Sequence, residues 1–192
     1  MRILHLSFFV ILLSVQLSMS QNIDLPMEYL QNSASGKNMI PDNVIGSPYF
    51  NETWTFGTVY INETSYNREL RYNAYTDDLE MKEKGEIINL LKRDYIWAKI
   101  DKNTYRIEEY AENGNQTKQG YFIELNEGKA RLLTKKQKEL MAAQAAKSSY
   151  QSDKPARFIE EESYYLKVDK GPAIEIKLKE KDILDILDKE DQ

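Results

Sequence analysis

The chain has 192 residues, with 26 Lys and Arg against 31 Asp and Glu, a net charge of −5, no cysteine and one histidine, His5. The acidic balance argues against a nucleic-acid binder, whose affinity comes largely from neutralising phosphates. The lack of cysteine excludes disulfides, thiolate metal centres and redox thiols.

Residues 1–20 read as a cleavable export signal. Arg2 is followed by the apolar run Leu6 to Val15, a polar break at Gln16 and a small-residue exit, Ser18-Met19-Ser20. Small side chains one and three residues before a cut place that cut after Ser20. The apolar run is well short of the roughly 20 residues a spanning helix needs. No later stretch approaches that length, so no transmembrane segment is expected after cleavage. The signal holds no cysteine that could carry a lipid anchor, so the expected product is periplasmic or secreted and not a lipoprotein. Loss of Arg2 leaves 25 basic side chains against 31 acids, a net charge of −6. His5 departs with the signal. Residues 21–192 then hold neither histidine nor cysteine, which excludes Ser-His-Asp and Cys-His nucleophiles and imidazole-bound metals or haem. No metal and no cofactor is expected.

Residues 21–53 show no sustained period and are rich in Asn, Ser, Gly and Pro. They read as an irregular lead-in draped over the domain. Gly46-Ser47-Pro48-Tyr49-Phe50 marks where the chain joins the core. Tyr49, Phe50, Trp54 and Phe56 form an aromatic cluster that reads as a packed core edge or, in a functional sense, as a platform for a sugar or peptide.

From residue 54 a single β-rich domain is expected. Leu79 and Met81 alternate with Asp78, Glu80 and Lys82; Tyr105 and Ile107 alternate with Thr104, Arg106 and Glu108; Tyr121, Ile123 and Leu125 continue the period. Strict alternation sets apolar groups on one sheet face and charges on the other, with Asp78 and Glu80 on the wet face. Lys84-Gly85 and Asn113-Gly114 supply hairpin turns. Tyr164, Leu166 and Val168 are set to pair with Ile174, Ile176 and Leu178 across Asp169-Lys170-Gly171-Pro172. The pattern predicts about eight to nine strands in an antiparallel sheet, forming a sandwich, barrel or half-barrel.

Two segments depart from the strand pattern. Gln137 to Lys147 has the composition of an exposed helix and, with the residues up to Pro155, reads as a connector. Residues 182–189 form a short C-terminal helix, with Ile183, Leu184, Ile186 and Leu187 on one face and Asp182 as N-cap. Lys135, Lys136 and Lys138 form a basic cluster that reads as a solvated face.

The succession Gly46-Ser47-Pro48-Tyr49, Leu70-Arg71-Tyr72-Asn73 with Asp77 to Glu80, Lys154-Pro155-Ala156-Arg157-Phe158, Tyr164-Tyr165-Leu166 and Lys181-Asp182-Ile183-Leu184 resembles a group of uncharacterised exported Bacteroidetes-type proteins. It spans most of residues 46–188. The resemblance implies a Gram-negative envelope setting and carries no active site.

Without histidine or cysteine, chemistry would fall to carboxylates, hydroxyls, lysine, arginine or tyrosine. Asp77, Asp78 and Glu80 at one strand start, and Glu160-Glu161-Glu162 beside Tyr164 and Tyr165, are the visible acid groups. A saccharide hydrolase would need two carboxyls facing each other across the sugar. Calcium would need about six to eight oxygen ligands, and no loop of that kind is present. Asn51, Asn62 and Asn115 head glycosylation-type triplets, silent in a bacterial setting. The residues placed for ligand contact are Tyr49, Trp54, Asp77, Asp78, Glu80, Tyr164 and Tyr165. The expected function is a non-enzymatic binding or accessory module whose partner is a protein, glycan or lipid of the envelope. The alternatives are a carboxylate-based hydrolase acting on saccharide and a periplasmic lipid carrier.

Overall fold

The computed structural model describes residues 24–32, 40–112, 116–146, 148, 150 and 152–190. The signal segment and the Asn113-Gly114 turn lie outside the described residues. After a 3-10 turn at Met27–Tyr29, the strands are β1 (Leu30–Asn32), β2 (Thr55–Ile61), β3 (Thr64–Asn73), β4 (Asp78–Glu83), β5 (Glu86–Leu90), β6 (Ile96–Ile100), β7 (Asn103–Glu112), β8 (Gln116–Glu124), β9 (Ala130–Met141), β10 (Arg157–Val168) and β11 (Ile174–Ile176). Helix α1 (Glu180–Glu190) closes the described chain. The protein is mainly β, as the alternation predicts. All eleven strands belong to one antiparallel sheet in the order β1-β5-β4-β3-β2-β6-β7-β8-β9-β10-β11.

That order forces the sheet to roll. β6 lies beyond β2, four places from β5, and the link between them is residues 91–95. On a flat sheet four strand spacings are about 19 Å, close to the full reach of so short a link. The link is not extended, because Ile96 N–H donates to Arg93 O within it. The first eight strands therefore curl around one core, which includes Val59, Leu70, Tyr72, Leu79, Met81, Leu90, Ala98, Tyr105, Tyr121 and Ile123. A second, smaller core of Tyr110, Phe122, Leu133, Tyr165 and Ala173 is formed by β7 to β10 and the residue that leads into β11. The β10–β11 hairpin folds back there, and Ala173 N–H donates to Glu109 O on β7.

Turn chemistry sets the registers. Lys84 and Gly85 both take positive φ, 51° and 87°, and join β4 to β5 by a two-residue loop. Tyr164 faces Ile176 and Leu166 faces Ile174, so the expected hairpin forms with its register shifted by two residues, and Leu178 falls past the end of β11.

Several expectations need correction. Asp78, Leu79, Glu80 and Met81 are all buried, with Glu80 only 2% exposed, so Asp78 and Glu80 do not sit on a wet face. The reason is the lead-in. Ile45 bridges to Arg157 and Tyr49 bridges to Asn73, so residues 45–54 cover the outer face of β3 and β4. The lead-in itself is only partly irregular, because β1 within it pairs with β5 at the sheet edge. The helix expected over 137–147 is strand β9 as far as Met141. β10 faces β9 along its whole length, and Lys138 stands opposite Glu160 and Lys136 opposite Glu162. Such cross-strand pairs override a weak helix preference. The connector that remains carries a Gln144–Lys154 bridge. For the same reason the Lys cluster is no solvated face, since Lys135 is 1% exposed and Lys138 is buried. The terminal helix forms as expected and lies against β10, with Asp182 in its first turn and not at its cap.

Gly57 on β2 marks a close approach of the neighbouring β6 backbone. A Cβ there would stand 2.6 Å from Lys99 O and 2.9 Å from a Leu70 methyl. The backbone atom cannot swing aside, so Gly57→Ala is expected to destabilise by about 1–3 kcal/mol through overpacking. Urea unfolding checks this as a lower midpoint at unchanged slope.

Candidate ligand-binding cavity

The ionisable side chains of β3, β4, β8 and β9 gather into tight clusters. Glu80 accepts from Arg71 Nη2 at 2.6 Å and Nε at 3.2 Å, from Asn73 Nδ2 at 3.0 Å and from the Tyr49 hydroxyl at 3.0 Å. Arg71 is stacked between the Tyr49 ring at 3.7 Å and the Trp54 ring at 4.3 Å. Tyr49 and Trp54 thus come together around a guanidinium of the same chain, which fills the space between their rings. Burial and the Glu80 charge push the Tyr49 hydroxyl up to about 12. Phe56 takes no part, being 79% exposed.

The second cluster fills an opening in the sheet. β8 and β9 pair at Ile123–Thr134 and Glu124–Leu133 and then diverge. The β3–β4 turn enters the gap. Ala74 O accepts from Lys138 N–H at 3.0 Å, and the Asp77 carboxylate accepts from Tyr121 N–H at 3.1 Å and from the Tyr72 hydroxyl at 2.7 Å. Lys135 Nζ lies 3.1 Å from Asp77 and donates to Tyr121 O at 3.3 Å. Gly120 leaves the room for this pair, since a Cβ there would stand 2.5 Å from Lys135 Nζ and 2.7 Å from Asp77 Oδ2. Burial pulls the Lys135 ammonium down, with Asp77 opposing. Lys92 Nζ reaches both Asp77 and Asp78 at 3.6 Å. Burial pushes the Asp78 carboxyl up, with Lys92 opposing.

A third cluster borders the second core. Arg131 Nη1 lies 2.7 Å from Glu108 and 2.8 Å from Glu124, and Lys167 Nζ lies 2.6 Å from Glu108. Burial pushes the Glu124 carboxyl up, but hydrogen bonds from Arg131 and Arg106 outweigh it and leave it low. Tyr165 is core, with its ring centroid 4.9 Å from that of Phe122. Tyr164 is half-buried on β10.

Arg71 of the first cluster and Tyr72, which bonds Asp77 in the second, also border a cavity. This cavity, of about 160 Å³, lies at one end of the first curl, where β2, β3, β6, β7 and β8 converge. Leu70, Ile100, Ile123, Tyr72 and Tyr105 supply its apolar and aromatic wall; Asn51, Thr53, Thr55, Asp101 and Asn103 supply polar groups; Phe50, Arg71 and Lys136 complete it. Asp101 sits in the β6–β7 turn at φ 52°, and among the described residues no ion pair engages it. Asn51 Oδ1 accepts from Thr53 N–H at 3.0 Å, and Arg71 Nη1 donates to Glu52 O, which holds the 50–53 segment over the opening. Burial pushes the Tyr105 hydroxyl up, with Asn103 opposing.

Of the residues placed from sequence, Tyr49, Trp54 and Glu80 come together, around Arg71. Asp77 and Asp78 share Lys92, while Tyr164 and Tyr165 lie apart on β10. None of the seven lines the cavity. Its lining comes instead from turn and strand-end residues such as Asp101 and Asn103. The one local signal for them is an Asp beginning a two-residue hairpin, and turn residues of that kind are common.

Two measurements test the electrostatic account. Asp77→Ala leaves Lys135 buried without its carboxylate and is expected to destabilise by about 3–5 kcal/mol. Lys135→Met is expected to destabilise less, because Asp77 keeps Tyr72, Tyr121 N–H and Lys92. Burial also raises the Tyr49, Tyr72, Tyr105, Tyr110, Tyr121 and Tyr165 hydroxyls. Above pH 10 the folded protein therefore holds more tyrosine protons than the unfolded chain, so this stability is present below pH 10 and lost as pH rises. Lys135 acts in the opposite sense but is one group against six. Tyrosinate absorbance should show a set of tyrosines that ionise only as circular dichroism reports unfolding. Comparison of the chain with protein-family models, curated proteins and solved structures finds no match.

Proposed function

We propose that the protein is an exported, non-enzymatic binding module of the cell envelope that holds a small polar ligand in the cavity at the end of its first curl. The observation that carries this reading is the cavity's lining, in which Asp101 is the single carboxylate. Hydrolysis of a glycoside by paired carboxyls needs two of them about 5–9.5 Å apart across the sugar. Asp77, Asp78 and Glu80 are instead tied to lysine or arginine elsewhere in the fold. The size of the cavity also weighs against a lipid carrier. Pockets for larger organic ligands run to about 300–1,000 Å³, above this cavity's volume of about 160 Å³. No helix among the described residues is long and apolar enough to cross a membrane. The export part of the proposal rests on the signal-like residues 1–20.

The protein, expressed with its leader in a Gram-negative host, is expected in the periplasmic or culture-medium fraction with Gln21 as its first residue. Incubated with a panel of oligosaccharides, it is expected to release no reducing ends. Turnover that Asp101→Asn abolishes would sink the non-enzymatic reading, and retention of residues 1–20 on a membrane-bound product would sink the soluble one.

A further inference from the structure

We infer that the ligand of this cavity is a neutral saccharide, either a free monosaccharide or the terminal sugar of a glycan; the inference rests on the binding-module reading above. The volume is the first constraint. A space of about 160 Å³ lies well below the range of about 300–1,000 Å³ for pockets that take larger organic ligands, at the scale of one sugar ring and too small for an acyl chain. Phe50 and Asn51 are exposed at the edge of this space, so a ring bound there could continue into solvent as a longer glycan.

The second constraint is the pairing of surfaces. A pyranose has an apolar C–H face and a belt of hydroxyls, each able to donate and accept. The cavity offers the complement to both. Tyr72 and Tyr105 present rings beside Leu70, Ile100 and Ile123, and aromatic rings pack well against apolar faces while keeping a polar tip. Asp101, Asn51, Asn103, Thr53 and Thr55 present a carboxylate, two amides and two hydroxyls. A carboxylate can accept from two adjacent hydroxyls, and an amide can donate to one while accepting from the next.

Charge is the third constraint. Arg71 is neutralised by Glu80 at 2.6 Å. Of the other lining residues, Asp101 and Lys136 carry opposite charges, so the cavity has no net ionic preference. Lys136 is also drawn outward to Glu162 at 3.6 Å. An acidic sugar or a fatty acid would gain little here, and a neutral polyol loses nothing. The geometry is set before any ligand arrives, because the 50–53 segment is held by Asn51, Thr53 and Arg71. Preorganisation of that kind raises affinity by reducing the ordering that binding requires.

The test is saturation-transfer NMR and calorimetric titration of the exported protein with glucose, galactose, mannose and N-acetylglucosamine, beside glucuronate, glycine, glutamate and decanoate. At least one neutral sugar is expected to bind. Asp101→Asn keeps a side chain that tolerates the positive φ and removes the charge. It should weaken that binding at least about tenfold, the effect of losing a hydrogen bond to a charged group. Asn103→Ala should weaken it as well. Thr58→Ala, on the opposite face of β2, should leave it unchanged, and all three variants should keep the parent's circular dichroism. The inference is overturned if no neutral sugar binds, if one binds equally well to Asp101→Asn and Asn103→Ala, or if glutamate, glucuronate or decanoate binds in preference. Any of those ligands binding in place of sugar leaves the binding-module reading standing, whereas that reading falls separately on turnover.

Discussion

The fold turns on one inserted carboxylate. Where β8 and β9 part, backbone groups of both strands would face a low-dielectric interior without partners, and buried unpaired N–H and C=O groups are strongly unfavourable. The β3–β4 turn supplies what the ladder lacks, with Asp77 taking the Tyr121 N–H and Ala74 O taking the Lys138 N–H. Lys135, reaching past the space left at Gly120, balances the charge of Asp77. The two cores meet at this point, since Tyr121 belongs to the first and Lys135 lies over the Tyr110 and Phe122 rings of the second. A buried ion pair adds little net stability against an apolar pair of the same size, but losing one partner is severe. Its contribution here is to fix where the β3–β4 turn docks.

The same economy governs the other buried charges. Arg71 and Glu80 pair between the adjacent strands β3 and β4, whereas Arg131 on β9 and Lys167 on β10 reach across β8 to Glu108 on β7. Asp77, Asp78 and Glu80 are therefore held by cations from their neighbours. The segment at 45–54 makes this possible, for it converts the outer face of β3 and β4 from a wet surface into an interior. It then continues over the end of the first curl and contributes Phe50, Asn51 and Thr53 to the cavity. One irregular strap thus seals a polar interior on one side and shapes the proposed binding site on the other. Destabilisation at Asp77 and loss of ligand at Asp101 should separate experimentally, because the two aspartates belong to different turns and different clusters.

The strand pattern, the Lys84-Gly85 turn, the β10–β11 hairpin and the terminal helix were all legible in the chain, because each depends on residues close in sequence. Alternation at Tyr105 and Ile107 reported the inner face correctly, since the other face of β7 carries the polar partners its pattern implies. It failed at Asp78 and Glu80, where a strap some thirty residues earlier covers the second face. It failed again over Gln137 to Met141, whose strand conformation comes from pairing with residues 157–161 across the connector.

What the sequence determined by itself was the chemistry available and the class of fold: residues 21–192 without histidine or cysteine, and period-two strands joined by tight turns. Tertiary structure alone decided how the sheet rolls, which carboxylates are neutralised and where a cavity remains. Those outcomes depend on contacts between distant segments, such as Asp77 with Tyr121 and Tyr49 with Glu80. A local pattern of apolar and polar residues records which face of a strand is dry, but not what lies across from it.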